Sequence, residues 1–248
     1  MWYFRKIDPL AAVKGRRYVS FVGAGGKTSY AEYVAARALE KGRRVLITTT
    51  TKIWAQEPYA TLDSGPGHGQ GGGQVLRVGK TAEKGKLTGL SPDEVETIGK
   101  DYDLVLIEAD GSRSMPLKYP APFEPVIPAC TDLTVVVAGL DALSGAIADK
   151  VFRSELLAEK TGLSGEGRVT LPVFLGLFEK DGLLKDVDIA NCLVVLNKYD
   201  ACPERERVPE LARGVSERTG GAQVIVASVR FGIFYSVRGS GRPAAKNG

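Results

Sequence analysis

The chain has 248 residues, 44% hydrophobic and 25% charged, with 33 Lys and Arg against 29 Asp and Glu for a net charge of +4. That make-up suits one or two ordinary folded domains, excludes a wholly disordered chain or a coiled coil, and is too mildly basic to argue for nucleic acid. Three cysteines without a CxxC pair exclude a disulfide scaffold or zinc ribbon, a single histidine argues against a His pair or a Ser-His-Asp triad, and no run approaches the ~20 apolar residues of a membrane span.

The N-terminal MWYFRKIDPL lacks the apolar core of a signal peptide, so a reduced, cytoplasmic setting is expected. Tyr18 to Val22 reads as a buried first strand, and Tyr30, Tyr33, Val34 and Leu39 recur at helical spacing in a helix from Lys27 to about Lys41, with Gly42 suited to its C-terminal cap. Arg44 to Thr48 is the second strand. Residues 64–74 hold six glycines between Gly65 and Gly73 and predict a flexible loop in which His68 is solvated rather than a ligand. Val75 to Val78 is a short strand. Ser91-Pro92-Asp93-Glu94 combines a cap residue, Pro at the first helical position and acids in the first turn, a strong helix start.

Leu104 to Ile107 and Leu133 to Ala138 are the next strands, the latter apolar throughout and therefore expected to be covered on both faces. Helices are expected over Asp149 to Lys160, Leu171 to Lys180 and Glu206 to Arg218, and further strands at Leu193 to Leu196 and Val224 to Val226. Alternation of strands and helices predicts an α/β domain with a mostly parallel sheet over residues 1–237. Residues 238–248 are expected to be a disordered tail.

The first strand runs into Gly23-Ala24-Gly25-Gly26-Lys27-Thr28-Ser29. Glycines let backbone N–H groups converge without Cβ obstruction, and the following helix start adds partial positive charge, together a phosphate cradle. Lys27 would reach the terminal phosphates, and the Thr28 hydroxyl would hold Mg²⁺. The loop is a shortened GxxGKT, since Phe21 stands where the longer motif begins. A second GKT at Gly79-Lys80-Thr81 lacks the Gly-rich approach and reads as a surface loop. Thr48 to Thr51 close the second strand. Ligands of open α/β sheets gather at carboxyl strand ends, so Thr49 and its neighbours could position a metal's waters or a phosphate, or be β-branched residues suiting a strand end.

The Leu104 strand ends in Glu108-Ala109-Asp110-Gly111. Its two carboxylates could hold the metal's shell or orient an attacking water, and which does which is not readable from spacing. Asn197-Lys198-Tyr199-Asp200 follows another strand. In this NKxD pattern Asp200 can accept two hydrogen bonds from guanine, Lys198 can lie over the base, Asn197 can tie the loop to the phosphate cradle, and the Ala227-Ser228 step after the last strand sits where GTPases put a second base contact. The alternative is a helix-entry loop capped by Asp200. Arg113 and Lys118 lie in a Pro-rich stretch beside the Glu108 strand end. They could clamp a substrate anion or simply be solvated, and Arg153 is a weaker candidate of the same kind. Cys130 and Cys192 read as core, and Cys202 as a loop cysteine.

FVGAGGKTS, VLITTTTKIW, LIEADGSRSMPLKYPAPFEPVIP and VVLNKYD, in that order, resemble the YqeC family, over about Tyr18 to Ser228. The resemblance implies a P-loop protein accessory to selenium-dependent molybdenum hydroxylases, with a selenium or molybdenum-cofactor species and a hydroxylase as partners. The nickel-insertion GTPases show a similar order of P-loop, E-x-x-G and NKxD, and the Mur ligases a similar GxxGKT. The expectation is therefore a P-loop NTPase using Mg²⁺, with GTP favoured over ATP. An ATP-dependent ligase or kinase acting on a small anion, and a non-hydrolysing nucleotide-gated module, are the alternatives.

Overall fold

The computed structural model describes residues 2–54, 60–61, 75–80, 82–83 and 86–239. The expected loop at 64–74, His68, Thr81 of the second GKT and residues 240–248 of the expected tail lie outside the described residues. In chain order the elements are β1 (Trp2–Lys6), α1 (Pro9–Ala12), β2 (Tyr18–Gly23), α2 (Lys27–Leu39), β3 (Val45–Thr49), β4 (Ile53–Trp54), β5 (Ala60–Thr61), β6 (Val75–Gly79), β7 (Ala82–Glu83), β8 (Lys86–Leu87) and α3 (Pro92–Gly99). They continue with β9 (Leu104–Glu108), β10 (Leu117–Lys118), β11 (Leu133–Gly139), α4 (Ile147–Lys150), β12 (Val151–Phe152), α5 (Ser154–Thr161), α6 (Leu171–Gly176), β13 (Cys192–Asn197), α7 (Val208–Arg218), β14 (Gln223–Ser228) and β15 (Ile233–Gly239).

Among the described residues, ten strands form one sheet in the order β1-β15-β14-β13-β11-β2-β9-β3-β6-β5. It is parallel from β14 to β5 and antiparallel where β15 joins β14 and β1 joins β15. This is an α/β, P-loop NTPase-like architecture. Alternation along each strand divides the core in two, as the pleat requires. Val135 and Val137 of β11 pack with Phe21, Tyr30 and Val34 against α2, while Val136 and Ala138 face the opposite layer with Phe174 of α6 and Leu211 of α7. Every residue of β11 is buried, as an apolar run covered on both faces must be.

The expected helix start at Ser91 is a full capping box: Ser91 Oγ accepts from the Glu94 N–H and Glu94 returns a bond to the Ser91 N–H. Other expectations need correction. The helix expected over 149–160 is split into α4 and α5 by the short strand β12 and by Arg153, whose φ is 62°. Helix α6 is shorter than the expected 171–180. Strands β1 and β15 were not among the expected strands, and β15 carries the fold through Gly239, past the expected start of the tail. Cys202 is buried rather than a loop-surface cysteine.

Candidate functional site

Every motif picked out in the sequence stands at the carboxyl edge of the parallel strands, because each follows the end of one of them. The turn after β2 is set by close packing. Gly23 and Gly25 have φ of 91° and 88°, and a Cβ on either would come within 2.3 Å of backbone atoms at Val137 or Gly139. Glycine is thus required here by both torsion and space. Helix α2 has Gly26 as an N-cap with no side-chain cap, and its first internal bond runs from Tyr30 N to Gly26 O at 3.0 Å. The amides of Lys27, Thr28 and Ser29 therefore emerge at the helix start without intrahelical partners, beside the positive end of the helix dipole.

The preceding amides behave differently from the expectation that the whole loop would serve a phosphate. Gly23 N–H donates to Asp110 Oδ2 at 2.9 Å, Ala24 N–H to Val137 O at 2.9 Å and Gly25 N–H to Met115 O at 3.0 Å. Those three residues shape the turn, and the donors left for an anion lie from Gly26 onward.

These residues open onto a cavity of about 600 Å³ that is also lined by Glu108, Asp110, Arg113, Arg153 and Lys198. Lys27 is 4% exposed rather than sitting at an open helix end, because its ammonium turns back into the loop. Its Nζ donates to Gly23 O at 2.6 Å and Ser112 Oγ at 3.3 Å, and lies 3.0 Å from Asp110 Oδ1. Lys118 takes the other Asp110 oxygen at 3.0 Å, donates to Gly111 O at 2.8 Å, and meets Glu124 at 2.7 Å. Arg153 closes the series on Glu124.

Lys27, Asp110, Lys118, Glu124 and Arg153 thus form one chain of alternating charge, buried as far as Glu124 and partly exposed at Arg153. Lys118 is fully buried and held by three acceptors, so it is not the solvent-facing anion clamp expected from its place in the Pro-rich stretch. Burial pushes the Glu124 carboxyl up, but hydrogen bonds from Arg153 and Lys118 outweigh it and hold it below the usual carboxylate range.

Glu108, at the end of β9, stands in register with Phe21 of β2 and Thr49 of β3. Thr28 Oγ1 donates to its Oε1 at 2.7 Å. Burial pushes the Glu108 carboxyl above its ordinary range, with Lys27 and the Thr28 bond pulling it partly back. This carboxylate has no ion-pair partner among the described residues, and with Thr28 it offers hard oxygens at the cavity wall. That donor set fits Mg²⁺, which takes one or two protein oxygens and otherwise keeps water and phosphate. Among the described residues no group of three or more His, Cys, Asp or Glu could cage a metal.

Thr49 does not join this set: its hydroxyl is fully buried, 2.9 Å from both the Glu108 and Thr51 carbonyl oxygens, and accepts the Thr51 N–H. The Thr50 hydroxyl likewise goes to Val126 O. Thr49 and Thr50 thus fasten strand ends and do not present their hydroxyls to a ligand.

On the other side of the cradle, Asn197 ends β13. Its Nδ2 donates to Gly25 O at 2.9 Å, and its Oδ1 accepts from Val229 N at 3.3 Å, so one side chain clips the glycine loop after β2 to the turns after β13 and β14. Lys198 follows in the left-handed region and pairs with Asp141 at 2.8 Å. Asp200 is hydrogen-bonded by Ser228, which brings the two expected base contacts together.

Residues 19–155 match the family described as YqeC protein. The chain belongs to the YqeC family. Over 228 residues it is 31% identical to the YqeC protein of Escherichia coli (strain K12), which covers 84% of this chain and 86% of that one. The family-model match spans the loop, Glu108, Asp110 and the charge chain up to Arg153, and the longer match to the Escherichia coli relative extends over Asn197 to Asp200 as well.

Sequence reasoning missed Glu124 as the hub of the charge chain, Asp141 as the partner of Lys198, and Phe152 beneath two guanidiniums. The EP dipeptide in the segment most specific to the YqeC resemblance was the available signal for Glu124. Nothing local marked Asp141 or Phe152. Among the described residues no helix is long and apolar enough to cross a membrane.

Proposed function

We propose that this YqeC chain is a Mg²⁺-dependent nucleotide-binding protein that prefers GTP to ATP and hydrolyses it. The observation that carries this reading is the Asn197 Nδ2 bond to Gly25 O at 2.9 Å. It joins a sequence suited to reading guanine to a loop suited to cradling phosphate, two motifs more than 170 positions apart. The strand order supports the same reading, with the carboxylate strand β9 on one side of β2 and the NKYD strand β13 beyond β11 on the other.

Lys27 would exchange Asp110 and Ser112 for the phosphates. The amides from Gly26 to Ser29 would donate to the same group, and Glu108 and Thr28 would hold Mg²⁺, which when bound offsets charge on the phosphoryl oxygens. Asp110 Oδ1, released by Lys27 while Oδ2 stays with Lys118 and the Gly23 N–H, would orient a water. The biological role we assign is an accessory step in maturing a selenium-containing molybdenum cofactor or its hydroxylase. Family membership supports that role, and the nucleotide chemistry stands apart from it. A second reading, a ligase or kinase acting on a small anion, has for support the arginine-lined part of the cavity.

The test is a competition for Mg²⁺-loaded protein. A site hydrogen-bonding guanine leaves its carboxylate unpaired against adenine and can reject it by on the order of 10⁴. GTP should therefore displace a fluorescent guanine nucleotide far better than ATP, and Asp200→Asn should weaken GTP and favour xanthosine triphosphate. Equal displacement by ATP and GTP removes the guanine assignment, and free phosphate rather than a phosphorylated acid as product separates the first reading from the second.

A further inference from the structure

Arg113 lines the cavity but is not used by the cradle. Arg113 lies one residue beyond Ser112, whose hydroxyl touches Lys27, and it is exposed with no carboxylate at ion-pair distance among the described residues. Its guanidinium carbon sits 5.3 Å from the centre of the Phe152 ring, and that of Arg153 sits 4.7 Å from the same centre. Two guanidiniums are thus gathered over one aromatic ring at the cavity wall.

The position of Arg153 is fixed from behind. Arg153 is tied to Glu124, Glu124 to Lys118, and Lys118 to the same Asp110 that holds Lys27. Arg113 and Arg153 also share backbone at φ of 46° and 62°, torsions seldom adopted outside glycine. Glu124 offsets much of the Arg153 charge, whereas Arg113 has no carboxylate at ion-pair distance among the described residues. A planar guanidinium with free donors is the group that takes a phosphate through paired hydrogen bonds.

We propose that Arg113 and Arg153, over Phe152, form a second anion subsite beside the phosphate cradle, and that it seats the phosphate group of an acceptor or regulator distinct from the nucleotide. The ligand class is a small phosphate-bearing molecule, with Arg113 supplying the bidentate contact and Arg153 the second charge. Lys118, buried behind them, positions Glu124 and does not touch the ligand. Its role as the cradle's neighbour rests on the nucleotide reading above, but the subsite itself can be tested without nucleotide.

The full chain is titrated with inorganic phosphate, followed by ³¹P line broadening and calorimetry, with and without saturating Mg²⁺ and a non-hydrolysable GTP analogue. Two phosphate sites are expected in the free protein and one in the analogue complex. Arg113→Ala should weaken the site that survives the analogue by tenfold or more, and Arg113→Lys should weaken it several-fold, since charge without the fork recovers part of the binding. Lys27→Ala should affect the other site. A single phosphate site lost with Lys27→Ala and indifferent to Arg113→Ala overturns the proposal. If the analogue does not bind while an Arg113-dependent phosphate site persists, the nucleotide reading fails and the subsite stands.

Discussion

Around the glycine loop after β2, Lys27, Asp110, Lys118 and Glu124 have side chains 8% exposed or less, and each is tied to the next. At the NKYD turn, Lys198 is 34% exposed and Asp200 is also only partly buried, and each leans on a single side chain, Asp141 or Ser228. Buried ions lose hydration and must be cross-paired to persist, whereas half-solvated ones can wait for a ligand at little cost. The first end is built to hold its shape, and a ligand there must displace bonds already made. The second is built to close on what arrives. Between them stands one uncharged link, Asn197 to Gly25.

The sharpest way to break the comparison is at the turn itself. Gly25→Ala forces a methyl to within 2.3 Å of Gly139 N and 2.8 Å of Pro116 O, on a residue whose φ is 88°. Strain and overpacking together should cost on the order of 3–5 kcal/mol. Gly26→Ala meets only the amide tip of Asn197 at 2.6 Å, which can move, so its φ of 113° should dominate at about 1–3 kcal/mol. Chemical denaturation of both variants checks the ranking, and a Gly26→Ala protein less stable than Gly25→Ala would contradict the packing described.

Lys27→Ala comes next and should act on both stability and binding. Asp110 keeps Lys118 and the Gly23 N–H, so the stability loss should be about 2 kcal/mol, below that of a buried pair left with one bare charge. Triphosphate affinity should fall tenfold or more, roughly 1.4 kcal/mol. Calorimetry together with a thermal melt reads the two effects separately, and an unchanged dissociation constant removes the cradle from the phosphate site.

The smallest effect expected is a pH dependence at the far end of the charge chain. Arg153 and Lys118 hold Glu124 below its ordinary range despite burial. A carboxyl with a depressed pKa in the folded state contributes stability fully above its unfolded pKa of about 4.3, and that contribution is lost as pH falls through the folded value. Denaturation midpoints measured from pH 6 downward should therefore fall less steeply in Glu124→Gln than in the parent chain. Identical slopes would mean that the cluster does not couple to Glu124 ionisation.

The same contrast explains how much could be read in advance. GAGGKTS, EADG and NKYD each follow an apolar run, so their place at strand ends was legible from local pattern, as were the capping box at Ser91 and the two-sided burial of β11. The fates of the individual polar groups were not. Thr49 and Lys118 carry suitable chemistry in suitable positions, yet Thr49 spends its hydroxyl on strand carbonyls and Lys118 is consumed by Asp110, Gly111 O and Glu124. Strands β1 and β15 escaped notice although Trp2-Tyr3-Phe4 and Ile233-Phe234-Tyr235 are residues that favour strands, because each stands next to a chain terminus and outside the helix–strand alternation.

By itself, then, the sequence determined the α/β alternation, the glycines that a tight cradle requires, and which residue types reach the carboxyl edge of the sheet, because these follow from steric limits and periodicity within a few neighbouring positions. Only the tertiary structure decided which of those groups stay available. Hydrogen-bonding capacity is finite, and the partners that use it, Asn197 for Gly25, Glu124 for Lys118 and Arg153, Phe152 beneath two arginines, come from strands and turns that meet only when the sheet is assembled.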